Sequence, residues 1–201
     1  VTSSRASADQ RSGRAGRVRP GVAYRLWSRM EDSTRLPHLP AEITQVDLCG
    51  PALEIAAWGT PADALSLLDP LPPKSLASAH ETLRMLHLVD DSLKPTSLGR
   101  EVLGLPLHPR LGTMVARNKE MKKQGWIACI VAALLEERDI MRGRPDELPA
   151  DLALRVQIIV GLGGHDAADR GAVRRVFEAA RDIARRARID SDTHVSSDEI
   201  D

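Results

Sequence analysis

Apolar positions along this 201-residue chain follow two periods, and the change from one to the other divides it. After the turn Pro20-Gly21, Val22, Tyr24 and Leu26 alternate along Val22–Trp27, which predicts a short strand. A strand of that kind cannot bury both faces alone, so residues 1–36 read as the edge of an α/β unit. Beyond residue 37 the period is helical. Leu53–Trp58 predicts a short apolar helix ended by Gly59, and Ala62–Leu68 a second, stopped by Asp69-Pro70-Leu71-Pro72-Pro73. Lys74–His87 sets Leu76, Ala79, Leu83 and Leu86 on one stripe. Leu88–Thr96 then reads as a hairpin wing turning at Asp90-Asp91-Ser92, and Thr96 or Ser97 caps a helix through Leu103. Residues 37–108 thus have the pattern of a winged helix.

From Pro109 onward helices dominate. Gly125–Glu137 is apolar around most of its circumference, as a central bundle helix must be, and Ala153–Val160 continues the bundle until Gly161-Leu162-Gly163-Gly164. Asp169–Ile189 is the best-patterned helix. Val173, Val176, Phe177, Ala180, Ile183, Ala184 and Ala187 share one face, and Arg174, Arg175, Arg181, Arg185, Arg186 and Arg188 crowd the flanks. Ser191–Asp201 is polar and acidic, the composition of a disordered tail. The fold class expected is mainly α with a little β.

Charge sharpens this division. Residues 1–36 hold eight Lys/Arg against three Asp/Glu, residues 37–108 four against nine, and residues 109–189 sixteen against eleven. The tail 190–201 holds five acids and no Lys/Arg. A basic head and a basic C-terminal region around an acidic middle suit two separate anionic contacts, although solvated helix faces account equally well for the C-terminal charges. In a DNA-reading winged helix Lys74–His87 would enter the groove, yet it offers Lys74, His80, Arg84 and His87 beside Glu81 in an acidic segment, which favours a packing role. Three Trp, one Tyr and one Phe argue against base stacking on aromatic platforms. Cys49 and Cys129 lie far apart with no CxxC or His/Cys spacing, so neither a zinc site nor a disulfide is expected. With no signal peptide and no 18-residue apolar span, a soluble cytoplasmic protein without membrane contact is the expectation.

The most specific stretch is Gln10-Arg11-Ser12-Gly13-Arg14-Ala15-Gly16-Arg17. Arg11, Arg14 and Arg17 are permanently charged planar forks suited to phosphate oxygens. Gly13 and Gly16 leave room for a ligand to approach the backbone. The octet is expected at the start of a helix, where free N–H groups also favour phosphate. It resembles motif VI (QRxGRxGR) of the DEAH-type superfamily 2 helicases, and the following Pro20–Trp27 run fits that family. Leu39-Pro40-Ala41-Glu42-Ile43 resembles the family's Pro-Glu-Ile element with Ala41 inserted; Gln45 stands where the family often has Arg. Ala132–Ile140, Arg142-Gly143-Arg144, Asp151–Arg155 and the Arg174–Arg188 helix are similar to the bacterial HrpB branch.

The resemblance implies the C-terminal part of an ATP-dependent RNA helicase. Residues 1–36 would end the second RecA-like domain, 37–108 would be winged-helix-like, 109–189 a ratchet-like bundle lining the nucleic-acid channel, and 190–201 a tail. It implies ATP with magnesium as cofactor, and single-stranded RNA and the missing RecA-like domains as partners. Arg14 and Arg17 become arginine fingers, Gln10 a sensor of the γ-phosphate region, Arg11 a bridge between ATPase lobes, and Gly13 and Gly16 part of the ATP-binding loop. Arg174, Arg181 and Arg185 are candidates for RNA phosphates. Without a Walker A loop or a DEAH tetrad to hold phosphates and magnesium, the segment is expected to be inactive alone. Plainer readings stay open: an Arg/Gly RNA-binding segment, a solvated basic turn, an adaptor docking an acidic partner, or a non-catalytic winged-helix nucleic-acid-binding protein.

Overall fold

The structure is a computed structural model describing residues 2–144 and 146–200; Val1, Pro145 and Asp201, which fall in the expected 1–36, 109–189 and 190–201 segments, lie outside it. The chain is mainly helical and forms two compact units that part after Val46.

The first unit has almost no core. Ser4 caps helix α1 (Arg5–Ser12) by accepting from the Ser7 N–H, and Ser28 and Glu31 form a reciprocal capping box on α2 (Arg29–Thr34). Polar clasps hold these pieces together. The Arg5 and Ala6 N–H groups donate to the carbonyls of Leu36 and Pro37, at 2.9 and 3.0 Å, so the chain itself closes the α1 N-terminus. The Arg35 guanidinium stacks 3.9 Å over the Trp27 ring and donates to Ser3, while the Trp27 indole N–H donates to Asp32 at 2.8 Å. Ser4 and Ala8 are the buried residues here. Val22, Tyr24 and Leu26 are 74–93% exposed, and no strand forms at Val22–Trp27. That expectation is corrected for a physical reason: a strand needs a neighbour for its N–H and C=O groups, and the described residues offer none.

The second unit carries the core. Helix α3 (Cys49–Trp58) ends at Gly59 in the left-handed region, φ 77°. The expected Ala62–Leu68 helix is only a 3₁₀ turn at Ala62–Ala64; its apolar side chains stay largely uncovered, and Leu68 is fully exposed. Helix α4 (Pro73–Met85) closes with His87 at φ 59°, and the Leu88 N–H returns to Leu83 O at 2.9 Å. Residues 88–96 form a tight hairpin held by one bridge, Val89–Pro95, and by the Asp90 carboxylate, which accepts from the Ser92 and Lys94 N–H groups. Thr96 caps α5 (Ser97–Leu103).

Helix α7 (Lys122–Glu136) sits centrally against α6 (Pro109–Asn118), α8 (Leu152–Val160) and α9 (Arg170–Ala187). Trp126 meets Phe177 edge-on, centroids 5.9 Å apart. Residues 190–200 lie against this bundle. Val195 is buried, Ile200 packs on the core, and Glu199 pairs with Lys123.

Candidate functional site

Helix α1 does not begin at the octet; it ends there. Gln10 and Arg11 lie in its last turn, and Gly13–Gly16 continue as a 3₁₀ turn with right-handed backbone through Arg17 (φ −71°, ψ −35°). The helix-start expectation is therefore corrected. The N–H-rich end of α1 is capped by Ser4 and by the carbonyls of residues 36–37, so anion attraction at the octet must come from side chains. Arg11 stands in the last turn of α1, Arg14 inside the 3₁₀ turn and Arg17 at its end, so the three follow one another at three-residue spacing through one tight right-handed turn.

All three are exposed, and none makes an ion pair or side-chain hydrogen bond among the described residues. Three other arginines of the unit are engaged: Arg25 pairs with Asp9 and Asp32, Arg5 donates to the carbonyls of Asp32 and Ser33, and Arg35 stacks on Trp27. Arg19 and Arg29 are exposed and unpaired among the described residues, so free positive charge extends from the octet to its neighbour Arg19. Gln10 is exposed as well. A Cβ at Gly13 or Gly16 would meet nothing within 4 Å, so no internal packing demands glycine at either position. Gly21 is the opposite case. A Cβ there would lie 2.0 Å from the Ala15 carbonyl oxygen, so the chain after Pro20 folds back directly onto the octet's turn. The sequence marks Gly21 as a turn residue but gives no sign of this close approach.

On α9, Arg174 donates to Glu178 at 2.9 Å and Arg185 pairs with Asp182, which Arg186 also holds at 2.9 Å. The Arg186 guanidinium, with Arg185 beside it, keeps the Asp182 carboxyl below its ordinary range. Arg181 lines an open groove of about 500 Å³ with Arg185, but Glu178, Asp182 and Asp190 line it too. These three candidate RNA contacts therefore sit in a mixed-sign surface rather than a basic one.

The structure also brings together residues that spacing alone could not connect. Asp47, Cys49 and His108 place one potential ligand atom each within 4.8 Å of one another. Asp47 Oδ1 accepts from the Cys49 N–H at 2.6 Å and lies 3.3 Å from His108 Nε2, while His108 Nδ1 accepts from the Arg110 N–H at 3.3 Å and caps α6. Burial, reinforced by the Asp47 carboxylate, pushes the Cys49 thiol up to about 11. Hydrogen bonds from Cys49, its side chain first and then its N–H, hold Asp47 below its ordinary range, with His108 adding to the effect. A thiol so protonated is a poor nucleophile.

No protein-family model matches the chain. It is 33% identical over 135 residues to the ATP-dependent RNA helicase HrpB of Escherichia coli, covering 67% of this chain and 16% of that protein. It is also 33% identical over 153 residues to the pre-mRNA-splicing factor ATP-dependent RNA helicase prp22 of Schizosaccharomyces pombe, covering 74% of this chain and 13% of the relative. The chain therefore spans about a sixth or less of the length of these relatives. Among solved structures, the crystal structure of the E. coli DEAH/RHA helicase HrpB superposes with a TM-score of 0.72 at 26% identity, covering 94% of this chain and 22% of that one. A second crystal structure, of the E. coli DExH-box NTPase HrpB, shares the fold with a TM-score of 0.64 at 24% identity over 93% of this chain and 21% of that one. Agreement of sequence and fold over most of these 201 residues makes the chain a homologue of one segment of the DEAH-box RNA helicases HrpB and Prp22.

Proposed function

We propose that this chain is part of an ATP-dependent RNA helicase and that its octet forms one wall of the nucleotide cleft. The observation that carries the reading is that Arg11, Arg14 and Arg17, at three-residue spacing with Gly13 and Gly16 between them, are all exposed and unpaired among the described residues. ATP supplies the phosphoryl group in transfer, and its charge spreads over oxygens as it moves. Arg14 and Arg17 neutralise that charge as fingers, Gln10 senses the γ-phosphate region, and Arg11 bridges the ATPase lobes. Gly13 and Gly16 leave open space for the phosphates to approach the backbone. The octet fits an anion; it contains no carboxylate for magnesium, and the neighbouring Asp9 is engaged by Arg25.

On this reading 1–36 belongs to a RecA-like domain, with Val22, Tyr24 and Leu26 as the face it turns to the rest of that domain. Residues 37–108 act as a winged-helix-like spacer and 109–189 as a ratchet-like bundle beside single-stranded RNA. The helices and short hairpin of 49–103, and the central place of α7, support those assignments. Arg14→Ala or Arg17→Ala in the intact helicase lowers ATP turnover by about 10³–10⁵-fold while nucleotide binding largely survives. Wild-type hydrolysis in either variant rejects the finger assignment. The chain alone, with no Walker A loop, binds without hydrolysing.

A further inference from the structure

The cluster at the start of α3 has no part in the helicase reading, and its chemistry differs from that of the octet. We propose that Asp47, Cys49 and His108 form a mononuclear site for a zinc-class divalent cation, with a fourth position open to solvent. The donor set, one thiol, one imidazole and one carboxylate, is that of zinc and its first-row neighbours rather than of magnesium or calcium, which take oxygen ligands. The geometry agrees. Bonds of about 2.0–2.3 Å in a tetrahedron place ligand atoms roughly 3.3–3.8 Å apart. The carboxylate and imidazole atoms already lie 3.3 Å apart, and all three ligand atoms fall within 4.8 Å.

The site is also held in place before any metal arrives. Leu48, between two of the ligands, is buried and anchors their loop. The Cys49 N–H fixes Asp47 Oδ1, and Pro109 follows His108 at the first position of α6. Cys49 is buried and Asp47 exposed, so a cation enters from the carboxylate side and meets the thiol last. Binding releases the thiol proton to water. Coordination through His108 Nε2 places the ring proton on Nδ1, so the 3.3 Å bond from the Arg110 N–H is exchanged for the metal bond. The cation would tie the first turn of α3 to the first turn of α6.

Titration of the full chain with cobalt(II) tests this. One equivalent binds with a near-ultraviolet thiolate-to-cobalt band, and zinc(II) displaces it. Cys49→Ser abolishes the band and Cys129→Ser leaves it unchanged. His108→Gln weakens binding by at least the roughly 10–100-fold that loss of an outer-shell partner costs. Should Cys49→Ser fail to fold, His108→Gln and the exposed Asp47→Asn decide by the same measure. Absence of stoichiometric binding, persistence of the band in Cys49→Ser, or unchanged affinity in both His108→Gln and Asp47→Asn overturns the assignment.

Discussion

At the scale of single residues, the glycines separate folding from proposed chemistry. Gly99 lies inside α5, where a Cβ would stand 2.0 Å from the Leu88 carbonyl oxygen, a backbone atom that cannot swing aside. Gly99→Ala should cost about 1–3 kcal/mol, as overpacking does, read as a lower urea midpoint. Gly13→Ala should leave stability unchanged within ~0.5 kcal/mol, because the new methyl meets nothing. If the open space over the octet is where phosphates sit, the same Gly13→Ala lowers turnover in the intact helicase. Equal loss of stability in both variants would contradict this division. The octet was legible because three Arg and two Gly at fixed spacing form a local pattern. Gly99 and the Asp47–Cys49–His108 cluster were not, because each depends on a partner brought close by the fold. Leu93 at φ 60° is equally silent, because leucine is not a residue type that signals a left-handed backbone.

At the scale of elements, burial decides which patterns become structure. Helices α4, α7 and α9 follow their apolar periods to within a few residues because each has a face to bury. Val22–Trp27 has the right alternation and no partner among the described residues, and Ala62–Leu68 has helix-forming residues and no covered face, so neither forms as its pattern suggests. The tryptophans provide a matched test. Trp126, 2% exposed, fills the space between α7 and α9 against Phe177, while Trp58 at the end of α3 is 77% exposed. Trp126→Ala should cost about 3–5 kcal/mol, most of a small domain's stability. Trp58→Ala should stay within ~0.5 kcal/mol. Denaturant unfolding followed by far-ultraviolet circular dichroism distinguishes them; similar midpoints would mean that α7 is not the centre of the core.

At the scale of the whole second unit, ion pairs fasten the connections around an apolar centre, and this sets how acid takes the unit apart. Arg155 holds the Asp139 carboxyl low and ties the loop after α7 to α8. Burial works against the Asp169 charge, but the Gly171 N–H and Arg142 outweigh it at the start of α9. Lys123, then Ser196, bring Glu199 down to about 2 and clasp the tail to the first turn of α7. Each folded value lies below that of the unfolded chain, near 4. Between the two values the unfolded state binds more protons, so stability rises with pH in that window. For Glu199 the contribution is complete above about pH 4.5 and disappears as pH falls towards 2. Salt bridges at the margins should fail while Ile130, Val176 and Ala180 remain packed, since their burial does not titrate. Hydrogen exchange of the full chain should therefore show residues 195–200 losing protection between about pH 4.5 and 2, before α7 does. Lys123→Met should expose the tail already at neutral pH and flatten its acid dependence. Tail protection that is constant down to pH 2, or that vanishes together with α7, would show that apolar anchoring by Val195 and Ile200 alone holds the segment and that the clasp contributes nothing.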